Sequence, residues 1–193
     1  GNPAYPTALA YDSLVSVDAK GKVLPLLAAT WDATTTTASF VLRDGITCSD
    51  GSPLLASDVA ADINYAADVK NKSVLVGQYV KPGSTATADD GARTVQVRSG
   101  AEDPFLLQDV GSMPIVCKAG LENRKLLAQG TVGTGLFKVT KVVAGSSYTL
   151  VRRTDYAWGP GDWKNNQPGL PDKIVLRVVA NATTRANLLL AGE

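Results

Sequence analysis

WDATTTTASFVLRDGITCSDGSPLLASDVAAD, residues 31–62, carries a strand, two turns and the start of a helix in one run. Phe40 and Leu42 alternate with Ser39, Val41 and Arg43, the period of a half-buried strand over 38–43. Asp44-Gly45 and Asp50-Gly51 read as turns, because glycine accepts the positive φ that turns require. From Ala56 to Lys70 the apolar positions Val59, Ile63, Ala66 and Ala67 fall at helical spacing and give one buried stripe. With Leu55 in front of that helix, Ser57 or solvent is left to cap it, while Asp58 suits the positive helix end.

Outward from this run, short strands are predicted at 94–98, 136–143, 148–152 and 173–179, with a turn at 144–146 that makes a hairpin of the middle pair. Short helices are predicted at 121–129 and 183–191, the second closed by Gly192. Residues 71–91, polar and small with Pro82-Gly83 and Asp90-Gly91, are expected to be mostly loop.

Composition removes several function classes. Lys plus Arg number 19 against 18 Asp plus Glu with no basic run, so no electrostatic footprint for nucleic acid is present. The longest apolar runs, such as Leu188 to Ala191, are too short to span a bilayer. With no histidine, Ser-His and Cys-His nucleophilic arrangements are unavailable. The close aspartates Asp44 and Asp50, and Asp89 and Asp90, flank glycines and are explained by turns. Two cysteines, Cys48 and Cys117, lack zinc-ligand spacing, so neither metal nor cofactor is expected. On the residues alone they are either reduced buried thiols or a disulfide.

Three ordered motifs run along the chain. The first is Pro25, Leu27, Ala28 and Trp31, then Phe40, Leu42, Arg43 and Gly45, then Asp50, Gly51, Pro53, Ala56, Asp58 and Val59. The second is Gly133-Thr134-Gly135-Leu136-Phe137-Lys138 with Leu150, Arg152 and Tyr156; the third is Lys173 to Val178 with Thr184, Arg185, Leu189, Gly192 and Glu193. Together these motifs resemble the bacterial extracellular solute-binding proteins of family 5, which serve ABC importers of peptides and nickel; Leu55 and Leu136 stand where that family commonly has Thr and Pro.

The resemblance implies an α+β fold: the first lobe of a two-lobed periplasmic-binding-protein-like architecture, a mixed sheet with flanking helices. Residues 1–193 would be part of that lobe, without the second lobe and the returning C-terminal segment. It implies an extracytoplasmic, monomeric solute-binding component of an ABC importer that binds a peptide or related small solute without catalysis. Its partners would be the ligand and the permease subunits, with membrane attachment only through a lipid anchor outside this chain. A sensory or interaction domain that uses the same lobe is the alternative. By family position, Tyr11, Gly111, Ser112 and Met113 would line the ligand cleft, the last of these opening an apolar strand over 113–117. An extracytoplasmic setting also implies a Cys48–Cys117 disulfide. Tyr156 and Trp158 would pack their loop onto the lobe, and Trp31 would be core.

Overall fold

The computed structural model describes residues 8–192. Residues 8–10 are helical and lead into β1 (Val15–Val17), which pairs with β2 (Val23–Pro25). The opening run then builds β3 (Ala28–Ala33) and β4 (Thr37–Leu42). The Thr34 hydroxyl accepts from the backbone N–H groups of Thr36 and Thr37 at 3.2 and 3.0 Å, and so shapes the tight turn between them. In β4 Ala38, Phe40 and Leu42 are buried while Thr37, Ser39 and Val41 are half-buried, as the alternation predicts.

α1 (Ala56–Ala67) covers this sheet with Val59, Ile63, Ala66 and Ala67 fully inward. Its N-terminus differs from expectation. Ser57 turns its N–H and hydroxyl to the Asp90 carboxylate, both at 2.8 Å, and Asp58 takes the Leu55 N–H at 3.1 Å. The helix stops at Ala67, and Asp68 starts a 3-10 turn, Val69–Asn71, by accepting the Lys70 N–H.

β5 (Thr85–Asp89) and β6 (Thr94–Arg98) complete a four-stranded sheet in the order β3-β4-β6-β5. β5 falls inside the expected loop. Its TATAD sequence alternates threonine only with alanine, too small an apolar side chain to mark a strand, and it is held by pairing with β6 and by Asn64 of α1. That amide donates to the Ala86 carbonyl and accepts from the Ala86 N–H, both at 2.8 Å.

α2 (Leu106–Gly111), α3 (Lys118–Glu122) and α4 (Leu126–Gln129) follow. β7 (Phe137–Val143), β8 (Ser147–Arg152) and β9 (Lys173–Arg177) form a second sheet, and α5 (Ala182–Leu190), N-capped by Asn181, closes the described chain. The fold is α+β. The mixed sheet expected from the resemblance is instead antiparallel at every named strand pair. Among the described residues no helix is long and apolar enough to cross a membrane.

Segment 113–117 is not a strand, because its amides go to separate partners: Ile115 to the Asp12 carbonyl, Val116 to the Asp62 carboxylate and Cys117 to the Val132 carbonyl. Pro114 has no amide to offer a ladder. Asp62 is 2% exposed, and burial lifts its pKa to about 7 against the opposing effects of the Val116 N–H and Arg124. Its folded pKa lies above the ordinary 3.8, so the native state binds more protons than the unfolded chain between these values. Stability from this group is therefore full below pH 4 and declines as pH rises to about 7. Asp62→Asn keeps an acceptor for Val116 and carries no charge. The stability of the variant relative to the parent is expected to rise by roughly 3–4 kcal/mol between pH 4 and 8. Urea titrations at both pH values check this, and a pH-independent difference would refute it.

Candidate functional site

The Tyr11-Asp12-Ser13-Leu14 segment is clamped from both sides by backbone. Leu27 and Ala28 donate to the Ser13 and Leu14 carbonyls at 3.2 and 2.8 Å, and Gly135 donates to the Ala10 carbonyl at 3.1 Å. The Gly-Thr-Gly motif makes this approach possible. A Cβ on Gly133 would stand 2.5 Å from the Ala10 carbonyl oxygen, and one on Gly135 would stand 2.5 Å from the Ala10 carbonyl carbon. Neither glycine has a positive φ, so both are required for closeness and not for turn geometry.

Between them Thr134, fully buried, donates its hydroxyl to Asp12 at 3.1 Å. The same carboxylate accepts the Trp158 indole N–H at 3.0 Å and the Tyr156 hydroxyl at 3.4 Å. Burial raises the Asp12 pKa, and the hydrogen bonds from Trp158, Thr134 and Tyr156 oppose that rise. Burial likewise pushes the Tyr156 phenol upward, and the neighbouring Asp12 carboxylate adds to the shift. Tyr156 and Trp158 are 4% and 3% exposed with ring centroids 4.9 Å apart, so the aromatic loop packs onto the body as expected.

Arg153 anchors the other side of this loop. Its buried guanidinium lies 5.2 Å from the Trp158 ring, donates to the Thr47 carbonyl at 2.9 Å and pairs with Asp155 at 2.6 Å. The Arg153 hydrogen bond holds the Asp155 carboxyl down at about 2.

Above Asp12 opens a hollow of about 430 Å³, walled by Tyr11, Ser13, Ser112, Leu136, Phe137 and Tyr156. Two of the sequence-predicted residues, Tyr11 and Ser112, meet on this wall. Gly111 and Met113 lie in the packed interior. Met113 is fully buried, and a Cβ on Gly111 would stand 2.6 Å from Val15 Cγ2, so both positions serve packing. Trp31 is half-buried against the core.

Asp12 and Arg153 were not among the expected site residues. The local signal for Asp12, a carboxylate at the start of an apolar strand, gives no hint of a Trp partner 146 residues away. Cys48 and Cys117, 1% and 0% exposed, form a disulfide that ties the loop after β4 to the segment leading from the hollow into α3.

The hollow is lined mainly by apolar groups with a few hydroxyls and one carboxylate, a composition suited to holding a small solute. The chain is similar to known binding proteins. A substrate-binding protein of Microbacterium hydrocarbonoxydans, solved in complex with 4-hydroxybenzoate hydrazide, superposes with a TM-score of 0.84 at 33% identity, covering 98% of this chain and 41% of that one. The oligopeptide-binding protein OppA of Bacillus subtilis is 26% identical over 81% of this chain and 31% of its own length. The glutathione-binding protein GsiB of Escherichia coli is 26% identical over 95% of this chain and 35% of its own. The chain thus spans about a third of the length of the curated relatives it matches. The profile of the bacterial extracellular solute-binding proteins, family 5 Middle, matches residues 22–193. The chain belongs to the bacterial extracellular solute-binding proteins of family 5.

Proposed function

We propose that this chain is most of the first lobe of an extracytoplasmic solute-binding protein. In this proposal it serves an ABC importer as a monomer and delivers a peptide or similarly sized solute to permease subunits. The hollow over Asp12 carries the proposal: it is open, mainly apolar, and has polar groups fixed by the Thr134 and Trp158 hydrogen bonds. Tyr11 and Ser112 are assigned as ligand-facing residues. The role is binding without bond-making, since the sequence has no histidine and Asp12 is held by donors instead of facing a nucleophile. OppA and GsiB are named for an oligopeptide and for glutathione, which supports a peptide-like solute.

Calorimetric titration of the protein carrying this chain against dipeptides, tripeptides, glutathione and chelated nickel tests the proposal. One class is expected to bind with micromolar or tighter affinity. Ser112→Trp, which fills the hollow from a half-buried position, is expected to weaken that binding at least about tenfold. Silence across all classes, or an unchanged affinity in the variant, would count against it.

A further inference from the structure

A second hollow, of about 820 Å³, lies on the other side of Tyr11 and Pro114, between the end of α1, the α3–α4 pair and the β7–β8 hairpin. Its charged lining consists of Lys72 and Arg124, with no Asp or Glu. Arg124 lies 4.2 Å over the Tyr65 ring, so one face of its guanidinium is taken while its N–H edges have no ion-pair partner among the described residues. The carboxylate that acts on Arg124 is Asp62, which is buried beneath the helix and committed to the Val116 N–H. Lys72 sits at φ 50, a left-handed conformation that a side-chain-bearing residue seldom takes. The remaining walls are mainly apolar or aromatic, including Leu127, Val142 and Tyr148, with the polar side chains of Asn71, Ser73 and Thr131 among them.

We propose that this second hollow binds a small organic monoanion with an aromatic or branched apolar body, the carboxylate between Lys72 and Arg124 and the body against Leu127, Val142 and Tyr148. A rim that carries Lys72 and Arg124 and no carboxylate, over mainly apolar walls, selects that chemistry. A simple cation meets repulsion, and an inorganic anion leaves the walls uncovered. The site goes beyond the solute hollow over Asp12, with which it shares only Tyr11 and Pro114.

Titrating the ¹⁵N-labelled chain with phenylacetate, and separately with benzylamine, tests the proposal by amide shifts. Saturable shifts are expected at Ser73, Gly130 and Gly145, which line this hollow, with phenylacetate but not with benzylamine. Lys72→Gln and Arg124→Gln, both at exposed positions and so expected to leave the circular dichroism spectrum unchanged, should each weaken phenylacetate about tenfold through loss of one charge-assisted contact. The proposal fails if phenylacetate gives no saturable shifts, if benzylamine binds as well, or if both variants bind phenylacetate like the parent. It also fails if the shifts gather on Ser13, Ser112 and Phe137, which would place the anion in the first hollow.

Discussion

Replacing Asp12 by alanine is expected to destabilise the protein by about 4 kcal/mol, because the loss leaves buried donors stranded. The Trp158 indole N–H and the Thr134 hydroxyl have this carboxylate as their acceptor, and their residues are 3% and 0% exposed. Each buried donor left without a partner costs roughly 1–3 kcal/mol, and a cavity adds to the sum. Asp12→Asn preserves the shape and one carbonyl acceptor, so about half of the loss should return. A double-mutant cycle between Asp12→Ala and Trp158→Phe, followed by urea denaturation, should give a coupling of 1 kcal/mol or more, on the order expected for contacting residues. Additive effects, or a loss from Asp12→Ala smaller than about 1 kcal/mol, would show that the carboxylate is incidental. Solute affinity should fall with stability in the alanine variant, since Tyr11 and Ser13 flank the same residue on the wall.

The second large effect is expected from the disulfide. Joining Cys48 to Cys117 closes a loop with a sequence separation of 69. The chain-entropy relation puts the stabilisation at about 4 kcal/mol. Replacing both cysteines by alanine should lower the melting temperature by roughly 10 °C for a chain of this size. Alanine is the right substitute because both sulfurs are buried, and serine would add unsatisfied hydroxyls. The loss should be felt at the solute hollow as well, since Ser112 and Pro114 on its wall run directly into Cys117. A melting temperature within about 2 °C of the parent would mean that the bond contributes little beyond local packing.

Where apolar residues repeat with a clear period, the fold was legible in the sequence. Phe40 and Leu42 located β4, and Val59, Ile63 and Ala66 located α1, because burial on one face of a strand or helix imposes those spacings. Strand β5 was not legible, since an edge strand of TATAD is made by its partner β6 and by Asn64, neither of which marks the sequence locally. Segment 113–117 misled for the opposite reason. Its apolar residues are buried by long-range contacts to Asp12, Asp62 and Val132, and burial without a ladder leaves the same apolar run as a strand. The Tyr11 and Ser112 positions on the hollow followed from family resemblance and not from any pattern in the residues. Asp12 and Arg153 stayed hidden because their partners, Trp158 for one and Thr47 for the other, lie more than a hundred residues away.

The bond from Trp158 to Asp12 also dictates an order of events during synthesis. Asp12 emerges 146 residues before its indole partner, so this latch on the segment around Tyr11 stays open while the β3–β4 hairpin and α1 become free to assemble. If this contact forms after the folding transition state, Asp12→Ala is expected to speed unfolding and leave the folding rate nearly unchanged, which a chevron plot measures. On that outcome the latch at Asp12 sets how long a finished molecule stays folded more than how quickly it gets there.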